Sequence, residues 1–311
     1  MVGERIVSLI PSATEIVAAL GFEKQLVGRS HECDFPASVA ALPACSSSRV
    51  DPAAPSREID DRVRTIVSEA LSVYRVDTSL LEKLAPTHII TQTQCEVCAV
   101  SLADVQRAVG ELVRCRPEVV SLEPMALPDI WRDIHAVAAS LGAAERAERL
   151  VDALTARLAD LRARTAPLDR RPVIACIEWI DPLMHAANWV PELVDIAGGT
   201  VMTGEAGRHS GYLEMAELLD RDPDVIAVMP CGFDIERSLQ EMRALTSHAG
   251  WADLSAVRTG RVYLTDGNQF FNRPGPRVVE SAEILAELLH PDTCDFEHRG
   301  TGWIPWDDAL V

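Results

Sequence analysis

Short apolar runs alternate with longer amphipathic segments along most of the chain. Residues 5–10 form a continuous apolar run that predicts a strand, and Ile16, Val17 and Leu20 then recur at helical spacing until Gly21. The alternation continues and predicts further strands at 26–28, 88–92, 118–122, 173–177, 225–229 and 261–264. It predicts helices at 56–71, 78–84, 101–112, 190–197, 212–219, 239–245 and 276–289. Strands that alternate with helices favour parallel sheets covered by helices.

The middle of the chain has a different pattern. Residues 127–164 are rich in Ala, Leu, Arg and Glu, and their large apolar residues recur near helical spacing with an interruption at Gly142. A continuous helix of this length would span about 50 Å at 1.5 Å per residue. The sequence therefore predicts an α/β fold of two doubly wound lobes joined by one long backbone helix.

The predicted domain boundaries follow from these patterns. Residues 1–125 form the first lobe, 126–166 the linking helix, 167–292 the second lobe and 293–311 a C-terminal tail. In the tail, Trp303, Ile304 and Trp306 are expected to pack against a lobe.

Composition excludes some partners. The 311 residues carry a net charge of −18, so the phosphate backbone of a nucleic acid would be repelled. We found no stretch of about 20 apolar residues, which membrane insertion as a helix requires. The N-terminus also lacks a basic segment followed by a long apolar one, so we expect a cytoplasmic protein, or a periplasmic one if a leader was removed.

Cysteine and histidine residues form a possible metal-binding group. His31 and Cys33 follow one predicted strand, and Cys95 and Cys98 follow another in the same lobe. Strand ends at one sheet edge lie close together, and these four side chains are suitable ligands for Zn²⁺ or a softer metal. Other possibilities are a redox pair of Cys95 and Cys98, or free thiols that touch or ligate a bound molecule. Cys231 would complete or cap such a site.

Four short segments resemble a known family. They are I-V-S-L-I-P-S-A-T-E at 6–15, L-A-P-T-H-I-I at 84–90, D-P-D-V-I at 222–226 and R-P-G-P-R at 273–277. In this order and spacing they resemble the helical-backbone (class III) substrate-binding proteins, in particular the cobalamin-binding receptors. The resemblance implies a small ligand held in a cleft between the lobes by loops at strand ends. It also implies an ABC-type permease as a partner.

The resemblance places five loops at the ligand: 30–36, 93–98, 178–189, 231–234 and 267–273. In these loops, aromatic side chains would cover the apolar faces of a large macrocycle: Trp179, Trp189, Phe233, Phe270 and Phe271. Amide side chains would bond the amides that fringe a corrinoid: Asn188, Asn268, Gln269 and Asn272. Glu178 is a further candidate, since a carboxylate at a strand end often faces a ligand. Glu32 is another, which would orient His31 or balance charge. The alternative for Trp189 and Phe271 is a role as core anchors.

These observations favour a non-catalytic protein that binds cobalamin or a related corrinoid. The alternative is a protein that binds metal or a metal chelate (haem, iron or zinc), or a thiol redox protein that uses His31, Cys33, Cys95 and Cys98. We found no nucleophile elbow, phosphate loop, dinucleotide fingerprint or zinc-hydrolase helix motif, so we expect no enzyme activity. Anionic siderophores would favour an arginine cluster, and the predicted loops supply few arginines.

Overall fold

The structure is a computed structural model that describes residues 3–69, 73–93 and 102–307. The chain divides into two compact units. Unit 1 contains the residues up to 54, then 58–124 and 128–153; unit 2 contains 55–57, 125–127 and the residues from 154 onward. The predicted α/β class is confirmed.

Unit 1 is built on a parallel sheet with the strand order β2-β1-β5-β6 and a separate antiparallel pair, β3 and β4. The strands are β1 Ile6–Ser8, β2 Leu26–Gly28, β3 Ser46–Ser48, β4 Tyr74–Val76, β5 His88–Gln92 and β6 Glu118–Leu122. The helices are α1 Pro11–Ala19, α2 Ser56–Ser68, α3 Thr78–Leu84, α4 Leu102–Glu111 and α5 Leu127–Ser140. Strands β1 and β5 lie at the centre of the sheet and are buried along their whole length because helices cover both faces.

The predicted long helix is divided at the glycine that interrupts its pattern. Helix α5 ends at Ser140 and helix α6 runs over Ala144–Thr165. Gly142 has φ 64° and its N–H donates to the carbonyl of Ala139, which ends α5 in a left-handed turn. The 22 residues of α6 span about 33 Å. The division between the units falls inside α6, between residues 153 and 154.

Unit 2 is built on a mixed sheet with the order β10-β8-β7-β11-β12-β13, in which β9 also pairs with β7. Its strands are β7 Val173–Trp179, β8 Met184–His185, β9 Thr200–Val201, β10 Gly211–Tyr212, β11 Val225–Val228, β12 Val262–Thr265 and β13 Trp303–Pro305. The remaining helices are α7 Val190–Ile196, α8 Met215–Arg221, α9 Ile235–Glu241, α10 Arg243–Thr246, α11 Ser255–Arg258 and α12 Val278–Leu289. The central strands β7, β11 and β12 are parallel, so their carboxyl ends share one edge.

The C-terminal tail packs on unit 2, as predicted. Strand β13 pairs antiparallel with β12, and Trp306 meets Trp251 edge to face at 5.9 Å between ring centroids. Trp303 meets Tyr263 in the same way at 5.2 Å. Within the described residues, no helix has both the length and the apolar character needed to cross a membrane.

Candidate functional site

In unit 1, the loop that follows β2 is held by the side chain of Arg29. Its guanidinium donates hydrogen bonds to the carbonyl oxygens of Ser30 (2.9 Å), Ala40 (3.2 Å), Leu42 (3.2 Å) and His31 (3.3 Å). Because a guanidinium has five N–H donors in a rigid fork, one side chain can fix several backbone segments at once. The backbone that carries His31 is therefore set before any ligand binds.

The imidazole of His31 has one bonded nitrogen and one without a partner. Its Nδ1 lies 2.9 Å from the hydroxyl of Ser46, and its ring lies 5.3 Å from that of Tyr74. The Nε2 atom is buried and has no hydrogen-bond partner among the described residues; the nearest carboxylate oxygen, Oε1 of Glu32, is 3.6 Å away. Burial, and next the charge of Arg29, lower the pKa of His31. The lowered pKa favours the neutral imidazole, which is the form that ligates a metal.

Cys33 lies at the same end of the unit 1 sheet. The side chain is 2% exposed, and the hydroxyl of Thr14, in the first turns of α1, donates to its sulfur at 3.0 Å. Thr14 also bonds the hydroxyl of Ser8, the last residue of β1, at 2.8 Å. The structure therefore places Cys33 inside the carboxyl edge of the sheet, next to the loop of His31 and closed to solvent.

The predicted metal group is only partly described. Cys95 and Cys98 lie outside the described residues. Among residues 3–69, 73–93 and 102–307, no three or more His, Cys, Asp or Glu side chains are arranged to hold a metal ion. A site made of His31, Cys33, Cys95 and Cys98 therefore stays a prediction.

In unit 2, Glu178 lies near the carboxyl end of β7. It is half-buried and accepts a hydrogen bond from the hydroxyl of Ser210 at 2.7 Å, while Ser210 in turn accepts from the N–H of Ala187 at 3.1 Å. The N–H of Cys231, which is half-buried in the loop after β11, donates to the Glu178 carbonyl at 3.1 Å. Burial, with the charge of Glu178 as a second cause, raises the pKa of Cys176 to about 12. An oriented carboxylate is thus present at this edge.

Two aromatic side chains remain half-buried at this edge, Trp179 and Phe270. Trp179 packs on Phe233 with 5.1 Å between ring centroids. The guanidinium of Arg237 lies 4.8 Å from the centroid of the Phe233 ring. The guanidinium of Arg277 lies 5.4 Å from the ring of Phe270. Phe233 is itself buried, so its role is to support Trp179 more than to present a free ring.

Trp189 and Phe271, which are predicted to contact ligand, lie in the interior of unit 2. They are 4% and 1% exposed, and the indole N–H of Trp189 donates to the carbonyl of Phe271 at 2.9 Å. The N–H of Phe271 donates to Ser281 of α12 at 3.0 Å. Both rings thus have a packing role inside unit 2, and their contact with ligand stays a prediction.

The predicted amides fall into two groups. Asn272 uses its Nδ2 to donate to the carbonyls of Met229 (3.1 Å) and Gly267 (2.9 Å), so it ties two loops together, and its contact with ligand stays a prediction. Asn188 and Asn268 are half-buried at the edge. The Oδ1 of Asn188 is buried without a hydrogen-bond partner among the described residues. Asn268 accepts from Arg273 at 3.0 Å.

Some residues at these edges were not found from the sequence. Ser46 orients His31, Tyr74 donates to Glu32 at 3.2 Å, and Ser210 orients Glu178. Each is far in sequence from its partner, so no local pattern reveals it. Phe35 is different: it is 44% exposed in the loop 30–36, and its position in a predicted ligand loop was a usable signal.

Oriented polar and aromatic side chains at the carboxyl ends of parallel strands are typical of sites that bind small molecules. The sequence profile of the periplasmic binding protein family matches residues 6–268. The chain belongs to this family, and the resemblance predicted from its sequence is confirmed.

Individual relatives are distant but cover nearly the whole chain. A curated relative, the uncharacterized ABC transporter substrate-binding lipoprotein YvrC of Bacillus subtilis, is 22% identical over 93% of this chain and 81% of its own length. The apo periplasmic heme-binding protein RhuT from Roseiflexus sp. RS-1 is 23% identical, with a TM-score of 0.69 over 93% of this chain and 98% of that one. The periplasmic vitamin B12 binding protein BtuF of Vibrio cholerae is 20% identical, with a TM-score of 0.65 over 92% and 96%.

The family defines the general activity. The chain is a substrate-binding protein of the ABC-transporter type, which binds a small molecule and interacts with a permease, and the family is generally non-enzymatic. The expectation of a cytoplasmic protein finds no support, because the curated relative is a lipoprotein.

Proposed function

We propose that the chain is a non-catalytic binding protein that captures cobalamin or a related corrinoid. The observation that carries this proposal is the chemistry of the strand-end edge of unit 2. Half-buried Glu178, Asn188 and Asn268 lie there beside the half-buried rings of Trp179 and Phe270. A corrinoid has apolar ring faces and a fringe of neutral amides, and an amide both donates to carboxylates and accepts from other amides.

Three arginines in or beside the loops of this edge already bond side chains of unit 2. Arg237 pairs with Glu241 at 2.8 Å, Arg277 donates to Gln269 at 3.2 Å, and Arg273 is buried against Asn268. Haem carries two carboxylates and many ferric siderophores are anionic, so they require cations that are not already engaged. The net charge of −18 opposes such ligands further.

A metal chelate such as haem is the second candidate, and one observation in unit 1 favours it. The Nε2 of His31 is buried without a hydrogen-bond partner among the described residues, and the lowered pKa of the imidazole favours its neutral form. An imidazole of this kind ligates iron as well as cobalt. If Cys33, Cys95 and Cys98 join His31, zinc or iron would instead be a resident metal, or the thiols a redox group.

The relatives support a place of action outside the cytoplasmic membrane. Their names describe a lipoprotein and periplasmic proteins. We propose the same place for this chain, with an ABC-type permease as the partner that receives the ligand.

The test is an absorbance titration of the purified, reduced protein with aquocobalamin and, separately, with haemin. Elemental analysis of the protein as isolated accompanies it. We expect a saturable change at one corrinoid per chain and weaker binding of haemin. Trp179→Ala should weaken corrinoid binding by about tenfold, because a ring face is lost. Tighter binding of haemin than of corrinoid would contradict the proposal.

Glu178→Gln sharpens the same test. The variant keeps the shape and removes the charge, so it should weaken corrinoid binding and strengthen haemin binding if the carboxylate selects against anionic ligands. Asp220→Asn, an exposed change on α8, is the matched control and should alter neither. Zinc that remains in a Cys95→Ser/Cys98→Ser double variant would exclude the four-residue metal site.

A further inference from the structure

The C-terminal tail of unit 2 holds the loop that carries Phe270. The N–H of Asp266, at the start of this loop, donates to the carbonyl of Gly302 in the tail at 2.9 Å. The side chain of Asp266 accepts from the N–H of Gln269 at 2.8 Å, and its carbonyl accepts from the N–H of Phe270 at 3.0 Å. The first turn of the loop is therefore built on a residue whose backbone is bonded to the tail.

The tail is itself fixed to α12 by a buried carboxylate. Glu287 is 3% exposed, and its two oxygens accept hydrogen bonds from three tail donors. These donors are the N–H of Phe296 (2.5 Å), the N–H of His298 (3.2 Å) and the indole N–H of Trp303 (2.5 Å). Because a buried carboxylate is costly unless it is fully bonded, this arrangement favours one position of the tail.

Close packing fixes the turn between these donors. A Cβ at Gly302 would lie 2.7 Å from Cδ1 of Ile284, so a larger residue here would require the Ile284 side chain of α12 to shift. The N–H of Gly302 donates to the carbonyl of His298 at 2.7 Å. The turn 298–302 thus packs closely against the helix.

His298 connects this turn to Phe270 directly. Its Nε2 lies 3.1 Å from Oε2 of Glu283, and its ring meets that of Phe270 at 6.2 Å with an interplanar angle of 66°. Arg277 stacks on the same phenyl ring, and Arg157 of α6 bonds Glu283 at 2.8 Å. Phe270 therefore contacts a histidine of the tail and Arg277, the residue that precedes α12.

We propose that His298 is a positioning residue for ligand binding, through which the C-terminal tail sets the orientation of Phe270 and of the loop 266–272. This proposal rests on the proposed function in one respect, that Phe270 faces the ligand. The family profile ends at residue 268, so the tail lies outside the part of the chain that the profile matches.

The ionisation of His298 fits the geometry. Burial acts to lower the pKa of His298, but the hydrogen bond to Glu283 and the charges of Glu287, Glu283 and Glu280 outweigh it and raise the pKa. Burial acts to raise the pKa of Glu283, and the bonds from His298 and Arg157 outweigh it and lower the pKa. A charged pair is then complete below the ordinary pKa of histidine and is lost as the pH rises through the raised value.

Two measurements on the full chain test the proposal. The first is hydrogen–deuterium exchange of the peptide that covers 266–272, which needs no ligand. The second is a titration with cyanocobalamin between pH 5.5 and 8.5. In the unaltered protein, we expect exchange of the peptide to become faster, beyond the intrinsic increase with pH, and affinity to fall about threefold to tenfold as the pH rises.

The variants separate positioning from mere stability. His298→Ala should show fast exchange and weak binding at every pH. His298→Gln keeps a donor toward Glu283 without titrating, so it should bind at nearly the unaltered low-pH affinity with no dependence on pH. His248→Ala, an exposed histidine of the same unit, is the control and should match the unaltered protein.

The outcomes are distinguishable from a failure of the proposed function. If the unaltered protein binds no cyanocobalamin, the corrinoid assignment fails while the exchange measurement still decides whether the tail holds the loop. Unchanged exchange at 266–272 in His298→Ala would overturn the proposal, as would binding in that variant with the pH profile of the unaltered protein.

Discussion

The two strand-end edges are supported in different ways. In unit 1, a single half-buried guanidinium, that of Arg29, holds the loop of His31 through backbone carbonyls. In unit 2, buried residues hold the loop of Phe270. Phe271 bonds Ser281 of α12 through its N–H, and Glu287 binds the tail that contacts the loop. Loss of one support should therefore loosen a loop in unit 1 but disturb the core in unit 2.

The largest effect should come from Phe271→Ala. The ring is 1% exposed, so its removal leaves a cavity and should lower the free energy of unfolding by about 3–5 kcal/mol. Urea unfolding measures this change, with Tyr212→Ala, an exposed aromatic of the same unit, as the control. A loss of stability below about 1 kcal/mol, combined with lost ligand binding, would indicate that Phe271 contacts the ligand and is not mainly a packing residue.

Arg29→Lys should have the next largest effect. A lysine cannot reproduce the fork that bonds four carbonyls, so we expect the free energy of unfolding to fall by about 2–3 kcal/mol. We also expect a smaller absorbance change when a metal-containing ligand is added, because His31 would be held less firmly. Thermal unfolding and the aquocobalamin titration measure the two parts. Arg62→Lys, on the exposed face of α2, should change neither, and equal behaviour of both variants would refute this role of Arg29.

Two buried carboxylates extend the comparison to pH. Glu287 of unit 2 accepts from three donors, whereas Asp133 of unit 1 accepts from the N–H of Glu123 at 3.2 Å. Burial, opposed next by the charge of Arg132, raises the pKa of Asp133 to about 7. The folded state thus favours the neutral acid, and its stability should fall as the pH rises from about 4 to about 7.

Asp133→Asn should remove this dependence. The variant should gain free energy of unfolding over the unaltered protein, and this gain should be larger at pH 8 than at pH 5 by about 2 kcal/mol. Chemical unfolding at the two pH values tests this, with Asp61→Asn on α2 as the exposed control. The same difference for both variants would rule out Asp133 as its source.

Tyr74→Phe should have the smallest effect. It removes the hydroxyl that donates to Glu32 at 3.2 Å and keeps the ring contact with His31, so we expect a loss of about 1 kcal/mol. Unfolding of Tyr74→Phe and of Tyr212→Phe, compared side by side, measures it. Equal stability of the two would show that the hydroxyl contributes nothing to this edge.

Local sequence patterns predicted the elements that local interactions determine. Helix α3 and strands β5 and β6 have the predicted bounds, because their apolar periodicity and flanking residues mark both ends. The two-residue strands β8, β9 and β10 were missed, since a strand that short is defined by its partner and not by its own sequence. The interruption at Gly142 was visible in the sequence. That it divides the segment into two helices depends on the left-handed backbone of Gly142, which the pattern does not show.

The candidate site was predictable only as a set of loops. The strand ends identified Glu178, Trp179 and Phe270, which the structure leaves half-buried. They also suggested Phe271, which the structure buries. Alternation in sequence does not tell which of two adjacent aromatics turns inward; here Phe271 has φ 58°, a left-handed backbone that no pattern of side chains indicates.

The strand at the end of the tail also bears on association between molecules. An exposed sheet edge with free N–H and C=O groups can pair with another chain. Strand β13 forms one edge of the unit 2 sheet, has three residues and ends at Pro305, which has no N–H to donate. The opposite edge, β10, has two residues, one of them Gly211. Both margins of the sheet are therefore poor templates for strand addition, which protects a binding protein from aggregation at high concentration.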